Sequence, residues 1–160
     1  SAGLAMHVNP DCFKLYCGDT GIFVTLAFWD SDYTDNVIYK KLLSDALTAD
    51  VGYVYENVVA QMFRAAGHDL YFYINSDRED SANRMEIDFL LDKQTLSRRH
   101  NVCPVEVKSG RSYAYESLRK FRQKFARLLD SAYVLHVNEL KKDADGVPHL
   151  PIYMAPLLVG

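Results

Sequence analysis

Two short β-forming segments that carry acidic residues constrain this chain more than any other feature. The first segment is Glu86–Leu91 and the second is Pro104–Gly110. Residues two apart in a strand lie on the same face, so Glu106 and Lys108 are predicted to share one face. A strand that alternates charged residues toward solvent is the competing explanation. If the two strands are neighbours, their charges would instead form an anionic pocket beside one cation.

Hydrophobic periodicity divides the rest of the chain into helices and strands in a definite order. The order is helix, three strands, helix, strand, with the first two strands as a hairpin and the last two as a parallel crossover. It predicts an α/β fold with an αβββαβ core, in which helices flank a central mixed sheet, plus an N-terminal helical segment. The predicted core elements are a helix over 52–66, strands over 70–74, 84–92 and 102–108, a helix over 112–129 and a strand over 132–137.

The length of 160 residues suits one domain with its own core, so residues 1–160 are predicted as a single unit. About 1–50 form an N-terminal helical extension with an apolar run over 20–28 and a helical pattern over 37–47. About 51–137 form the core, whose first helix is expected to stop at Gly67. About 147–158 form a proline-interrupted extended segment, which suits an edge strand.

Alternation within the second strand makes a more detailed prediction about its two faces. Ile87, Phe89 and Leu91 are expected on one face, and Glu86, Asp88 and Leu90 on the other. The five histidines show no paired spacing, and His136 is predicted to be a packed strand residue.

Charge distribution leaves two interpretations of the second helix open. The net charge of −3 argues against general nucleic-acid binding, but the segment 93–127 is strongly basic and the segment 11–56 is acidic. A basic face for nucleic acid is one interpretation, and a solvated helix with a Glu116–Lys120 pair is the other. The candidate contacts to nucleic acid are Arg111, Arg119, Lys120 and Lys124.

The remaining composition points to a cytoplasmic protein that does not enter a membrane. No apolar stretch approaches the ~20 residues that span a bilayer, and no secretory signal pattern opens the chain. Three cysteines, at positions 12, 17 and 103, are an odd number without zinc-finger spacing, which favours reduced thiols.

The acids can be combined into one candidate site on the predicted scaffold. If the second and third strands pair, Asp88 and Glu106 can approach one Mg²⁺, with Lys108 beside the attacking water or the phosphate. Glu56 lies at the margin of the apolar stripe of the first helix, so it can reach the same sheet. A structural cluster of ion pairs is the alternative explanation of these four residues.

The order helix-Glu, strand-Asp, strand-Glu-x-Lys, basic helix resembles the PD-(D/E)xK nuclease superfamily. More narrowly, the chain resembles the nuclease-like domain of unknown function found C-terminal to AAA-type ATPases in prokaryotes. Ile87 stands where the superfamily signature has a proline, which weakens the signature but keeps its acid. The segments that carry the narrower resemblance are Lys14-Leu-Tyr16, Asp19-Thr-Gly21, Gly52-x-x-x-Glu56-Asn57, Glu86-Ile-Asp88-Phe, Pro104-Val-Glu106-Val-Lys108-Ser-Gly110 and Leu150-Pro-Ile-Tyr.

The resemblance implies a restriction-endonuclease-like core and a set of site residues. Asp88 and Glu106 would be metal ligands for Mg²⁺ or Mn²⁺, with the carbonyl of Val107 as a third oxygen. Lys108 would orient water or stabilise charge, and Glu56 would be the acid that some members add from a helix. DNA would be the substrate, and this chain would be the C-terminal part of a longer ATPase, although it contains no nucleotide-binding glycine-rich loop of its own.

Two functional hypotheses follow. The leading one is Mg²⁺-dependent cleavage of DNA under the control of a fused ATPase. The alternative is a DNA-binding or protein-interaction module that keeps the nuclease fold without catalysis. Self-association is left open.

Overall fold

The computed structural model describes residues 9, 11–27, 51–76, 80–81, 83–93 and 102–159. The helical pattern predicted over 37–47 lies outside the described residues, as do the basic residues Arg98 and Arg99. The α-helices are α1 (Thr20–Ala27), α2 (Val51–Ala65) and α3 (Glu116–Lys124), and two 3₁₀ helices span Ala126–Leu128 and Ile152–Leu158. The strands are β1 (Tyr71–Asn75), β2 (Met85–Asp92), β3 (Val102–Lys108), β4 (Tyr133–His136), β5 (Lys141–Lys142) and β6 (Pro148–Pro151).

The described strands form one mixed sheet in the order β1-β2-β3-β4-β6-β5. Strands β1, β2 and β3 pair antiparallel, β3, β4 and β6 pair parallel, and β5 is antiparallel to β6. The predicted hairpin of the first two strands and the parallel crossover through α3 are therefore confirmed. The molecule is an α/β protein, as the order of its periodic segments indicated.

Helix α2 forms because one of its faces is continuously apolar, and it ends where the sequence predicted. Val59, Ala60 and Phe63 are buried against the sheet. Gly67 adopts a positive φ of 85°, and the N–H of His68 donates to the carbonyl of Phe63 at 3.0 Å. This is the hydrogen-bond pattern of a Schellman cap, which needs a residue that tolerates the left-handed conformation.

Two apolar layers cover the two faces of the sheet. One layer joins α2 and the C-terminal 3₁₀ helix to β2, β3, β4 and β6, and it includes Phe63, Phe89 and Val105. The other layer joins α3 to the opposite face through Leu118 and Phe121. The sheet residues of the candidate site lie on the interior strands β2 and β3, between these layers.

A β-bulge in β2 overturns the predicted alternation of that strand. Tyr71 pairs with Leu90 and Tyr73 pairs with Ile87. An advance of two residues along β1 therefore corresponds to three residues along β2. Ile87 therefore packs in the layer of α3, whereas Phe89 and Leu91 pack in the layer of α2. The prediction that Ile87 shares a face with these two residues was wrong, because strict alternation cannot anticipate an inserted residue.

The second predicted helix is shorter than its apolar pattern suggested. Regular helix runs only over Glu116–Lys124, and Ala126–Leu128 continues as a 3₁₀ turn. Before the helix, the hydroxyl groups of Tyr113 and Tyr115 form hydrogen bonds to residues of the C-terminal part of the chain. These tertiary contacts hold residues 113–115 in an irregular conformation that periodicity alone does not reveal.

The extended segment predicted over 147–158 is confirmed only for Pro148–Pro151, and its prediction as an edge strand was wrong. Strand β6 lies between β4 and β5 and is therefore not an edge strand. The chain then turns into the 3₁₀ helix Ile152–Leu158, whose buried residues Ile152, Ala155 and Leu158 are three apart. Residues three apart line one side of a 3₁₀ helix, which explains how this short segment covers the layer of α2.

Candidate functional site

Asp88 lies in a gap that opens between β2 and β3. The two strands pair from Phe89↔Val105 to Asp92↔Val102, and this pairing does not extend to Asp88. The carboxylate of Asp88 replaces the missing strand contact, because its Oδ2 accepts a hydrogen bond from the N–H of Val107 at 2.8 Å. A bulge that redirects an acidic side chain beside separating strands is a recurrent feature of functional sites.

Glu106 is the most deeply buried charged side chain among the described residues, with 2% of its surface exposed. Neither carboxylate oxygen has a well-aligned hydrogen bond within the described part of the chain. The Nζ of Lys108 lies 3.1 Å from Oε2. Burial raises the pKa of Glu106 to about 7, and Lys108 only partly opposes this effect. Glu106 is therefore a buried, incompletely hydrogen-bonded carboxylate with a partly exposed lysine partner, which is costly to maintain.

A second cation, Lys14, occupies the other side of the gap. Its Nζ lies 2.9 Å from Glu56 Oε1, 2.8 Å from Glu86 Oε1 and 3.4 Å from Asp88 Oδ1. The hydroxyl of Tyr16 donates a hydrogen bond to the same Glu56 oxygen at 2.7 Å. Three carboxylates thus surround one ammonium group supplied by the N-terminal segment.

The pKa values show how strongly these groups depend on one another. Burial raises the pKa of Asp88, and the charge of Glu56 raises it further, against the N–H of Val107 and the two lysines. Burial by itself lowers the pKa of Lys14, but the contacts to Glu86, Asp88 and Glu56 outweigh it, so the pKa of Lys14 is raised. The ammonium of Lys14 therefore stays protonated and compensates the carboxylates around it.

The four predicted catalytic residues are placed in two groups rather than one. Glu56 and Asp88 meet at Lys14 on the side of α2, whereas Glu106 and Lys108 face α3, where the N–H of Leu118 also favours the ionised carboxylate. Asp88 lies between the groups and raises the pKa of Glu106 by its charge. Among the described residues, no three His, Cys, Asp or Glu side chains are arranged to hold a metal ion. The metal set of Asp88, Glu106, Val107 and Glu56 stays a prediction.

Sequence reasoning missed Lys14, Tyr16 and Glu86 as members of this site. Lys14 and Glu56 are 42 residues apart, and Lys14 and Asp88 are 74 apart, so no local pattern connects them. The available signal was the alternation of residues 13–16. Phe13 and Leu15, which are exposed, alternate with Lys14 and Tyr16. That alternation indicates a strand-like segment with one polar face turned inward.

A polar clamp fixes the N-terminal strap, defined here as residues 11–19, against α2. The side-chain oxygen of Asn57 accepts a hydrogen bond from the N–H of Cys17 at 2.7 Å, and its amide nitrogen donates to the carbonyl of Cys17 at 3.1 Å. Gln61 contacts Gly18 and Thr20. Asn57 is 2% exposed, so its polar atoms are buried only because the strap satisfies them.

The basic residues predicted to contact nucleic acid make intramolecular contacts. Arg119 lies 3.0 Å from Asp145 Oδ2 and 3.9 Å from Glu116, so the expected Glu116–Lys120 pair is replaced by a Glu116–Arg119 pair. Lys120 donates to the carbonyl of Ser81 at 2.8 Å. Lys124 reaches Asn83, and Arg111 accepts a hydrogen bond at its carbonyl from Asn138. Contact of these four residues with nucleic acid stays a prediction.

We expect Lys120→Ala to loosen the connection between β1 and β2 rather than the whole fold. Its removal leaves the carbonyls of Ser81 and Arg84 without their lysine partner at the protein surface. Global unfolding free energy should fall by less than about 1 kcal/mol, because exposed contacts contribute little. Amide hydrogen exchange at residues 81–86 should become faster. Unchanged exchange there would contradict the anchoring role.

Two histidines that the sequence did not connect share one tyrosine hydroxyl. The hydroxyl of Tyr113 lies 2.7 Å from Nδ1 of His136 and 2.6 Å from Nδ1 of His149. Nε2 of His149 lies 3.3 Å from Asp143 Oδ2. We call Tyr113, His136, Asp143 and His149 the histidine cluster. Parallel pairing of β4 and β6 creates it, and no sequence spacing could have indicated it.

The fold and the site together define a class of protein. It is an α/β protein whose mixed sheet opens beside an acid-bearing bulge and a buried Glu-x-Lys pair. The chain belongs to the family described as Domain of unknown function (DUF4143), whose family model matches residues 51–154, nearly two thirds of the chain. No curated protein and no solved structure matches the chain. The match contains Glu56, Asp88, Glu106 and Lys108, and Lys14 lies outside it. No described helix is long and apolar enough to cross a membrane.

Proposed function

We propose that this domain hydrolyses phosphodiester bonds of DNA with Mg²⁺ or Mn²⁺ at the gap between β2 and β3. The observation that carries the proposal is the Glu106 carboxylate, which is buried, incompletely hydrogen-bonded and raised in pKa to about 7. Such a group opposes stability, and perturbed carboxyl groups of this kind concentrate at functional sites. The order of the elements around the gap supports a restriction-endonuclease-like core for this domain.

The donor atoms of the site suit a hard divalent cation in chemical type. Asp88 and Glu106 supply carboxylate oxygens, and both Glu106 oxygens lack well-aligned hydrogen bonds from the described residues. A cationic group, the ammonium of Lys14, already lies against Glu56 and Asp88. Asp88, Glu106, Glu56 and the carbonyl of Val107 would hold the ion. When bound, it would polarise the phosphate and make the attacking water more acidic.

The residues of the chain would contribute orientation and charge. The N–H of Val107 holds one oxygen of Asp88 in place, which fixes the direction of the carboxylate. Burial raises the pKa of Glu106 to about 7, and a bound cation would oppose this effect and keep the carboxylate ionised. Lys108 lies 3.1 Å from Glu106 and would offset negative charge that develops on the phosphate oxygens.

Partners follow from the same proposal. DNA would approach the gap between β2 and β3 where Lys108 and Asp88 lie, with Arg111, Arg119, Lys120 and Lys124 as candidate phosphate contacts. Those four would have to exchange part of their internal contacts for phosphates. A fused N-terminal ATPase would control access, and the protein would act in the cytoplasm.

One observation favours the second candidate function, a DNA-binding or protein-interaction module without catalysis. Lys14 compensates the carboxylates of Glu56, Glu86 and Asp88 without any metal ion. An acid cluster neutralised in this way is stable as a purely structural element. This candidate predicts binding that survives the loss of Glu106.

A cleavage assay distinguishes the two functions. Supercoiled plasmid, linear duplex, single-stranded DNA and RNA are incubated with the protein and MgCl₂, MnCl₂ or EDTA. We expect metal-dependent cleavage of a DNA substrate, and Glu106→Gln and Asp88→Asn should each lower the rate at least about 100-fold. Both variants keep side-chain size while removing charge.

The control for this assay is Glu139→Gln, which removes a carboxylate from an exposed loop residue. It should cleave like the unaltered protein. Cleavage by all the variants at one rate would contradict the proposed site. Absence of metal-dependent cleavage on every substrate, with DNA binding retained in Glu106→Gln, would establish the second function instead.

A further inference from the structure

Lys14 lies where a metal ion would need to approach two of its proposed ligands. Its Nζ contacts Glu56 and Asp88 at 2.9 and 3.4 Å, and also Glu86 at 2.8 Å. The side chain is 18% exposed and its ammonium also lies 5.7 Å from the centre of the Phe72 ring. An ammonium group and a divalent cation cannot share these oxygens, because like charges at such separations repel strongly.

We propose that Lys14 is an internal counter-cation that holds the site closed until a divalent metal ion displaces it. The proposal rests on the proposed function, because it requires that Asp88 and Glu56 bind metal. Lys14 then competes with the metal directly, and metal binding is coupled to movement of the lysine. Glu86, which is half exposed, is the group to which the displaced ammonium stays attached.

Lys14 can move in this way while the rest of the strap stays bound to α2. The clamp of Asn57 and Gln61 holds residues 17–20, three residues or more beyond Lys14. On either side of Lys14, Phe13 is 72% exposed and Leu15 is 85% exposed, so neither side chain anchors this part of the strap. Tyr16, which is hydrogen-bonded to Glu56 and stacked on Phe89, stays in place with the clamp, so the outward movement is confined to residues 13–15.

A structural role alone makes a different prediction from displacement. If Lys14 only neutralised carboxylates that do not bind metal, its removal would weaken the protein and leave Mn²⁺ affinity unchanged. If Lys14 worked together with a bound metal, its removal would weaken metal binding. Displacement alone predicts that removal strengthens binding, because the competing cation is gone.

The experiment measures Mn²⁺ affinity by calorimetric titration of MnCl₂ into the unaltered protein, Lys14→Met and Lys142→Met. The control removes an exposed lysine from β5, at the opposite edge of the sheet. We expect Lys14→Met to bind Mn²⁺ at least about tenfold more tightly. Lys142→Met should match the unaltered protein within about twofold.

A double variant and a second measurement test the proposal even where Lys14→Met alone does not fold. Lys14→Met combined with Glu86→Gln removes one of the repelling carboxylates, and melting temperature is recorded with EDTA and with MnCl₂. Mn²⁺ should raise the melting temperature of this double variant more than that of the unaltered protein. Equal or weaker Mn²⁺ binding in both Lys14 variants would overturn the displacement and leave the proposed function standing. No Mn²⁺ binding by any form would overturn both.

Discussion

Glu106→Gln should make the protein more stable at pH 8 while it removes the proposed activity. The pKa of Glu106 is about 7 in the folded protein, against 4.5 for the unperturbed group. Between these values the folded state binds more protons than the unfolded state, so stability falls as pH rises through this window. Above pH 7 the cost of the ionised carboxylate is fully present, on the order of 3 kcal/mol.

Glutamine keeps the shape of the side chain but carries no charge to desolvate. The loss of the Lys108 contact offsets part of the gain, because that pair lies 3.1 Å apart. We expect a net gain of about 1–3 kcal/mol at pH 8, or a rise in melting temperature of about 3–8 °C. At pH 4.5 the gain should nearly vanish, since glutamate is then protonated in the fold.

Thermal unfolding at pH 8 and pH 4.5 checks this expectation. Glu116→Gln is the matched control, because it removes an exposed carboxylate of α3. It should change stability by less than about 0.5 kcal/mol at either pH. A loss of stability in Glu106→Gln at pH 8 would show that the buried ion pair stabilises the fold and is not a strained functional group.

Tyr113→Phe should destabilise the protein by about 2–4 kcal/mol, because it removes the centre of the histidine cluster. The hydroxyl lies within hydrogen-bonding distance of both His136 and His149, which are almost completely buried. Burial raises the pKa of Tyr113 to about 12, and the charge of Asp143 adds to this effect. The hydroxyl therefore keeps its proton, donating to one imidazole and accepting from the other.

Phenylalanine leaves both Nδ1 atoms buried without that partner. The melting temperature should fall by about 5–12 °C, measured by calorimetry at pH 7.5. Tyr153→Phe is the control, since Tyr153 is 76% exposed, and it should change stability by less than about 0.5 kcal/mol. A drop for Tyr113→Phe no larger than that of the control would show that the hydroxyl contacts contribute nothing to stability.

Local patterns were sufficient to predict the central fold. Period-3.6 apolar residues located α2, and Gly67 marked its end. The helix between β3 and β4 indicated a parallel crossover, which the register confirms. These features depend on residues close together in sequence, and for such residues the local preference and the final packing agree.

The features that sequence did not reveal depend on contacts between distant residues. The bulge at Asp88–Phe89 adds one residue to an alternating strand, and alternation alone cannot indicate where it lies. The irregular residues before α3 follow from the hydroxyl contacts of Tyr113 and Tyr115. The C-terminal 3₁₀ helix forms because its apolar residues cover the layer of α2.

For the candidate site, sequence identified the anions better than their counter-cation. Glu56 and Asp88 meet at Lys14 on the side of α2, whereas Glu106 pairs with Lys108 on the side of α3, a separation that the sequence did not indicate. Lys108 pairs with Glu106, but the cation between Glu56 and Asp88 is Lys14 from the distant strap. A site that looks like a metal pocket in sequence thus contains its own ammonium group.

Crystallographic localisation of Mn²⁺ by its anomalous scattering is the most direct test of the central claim. Crystals of the protein grown with MnCl₂ should show an anomalous peak in contact with Asp88 and Glu106, with the Lys14 ammonium moved away from Asp88. The account is contradicted if crystals with saturating MnCl₂ show no peak at the gap and Lys14 still bridges Glu56 and Asp88.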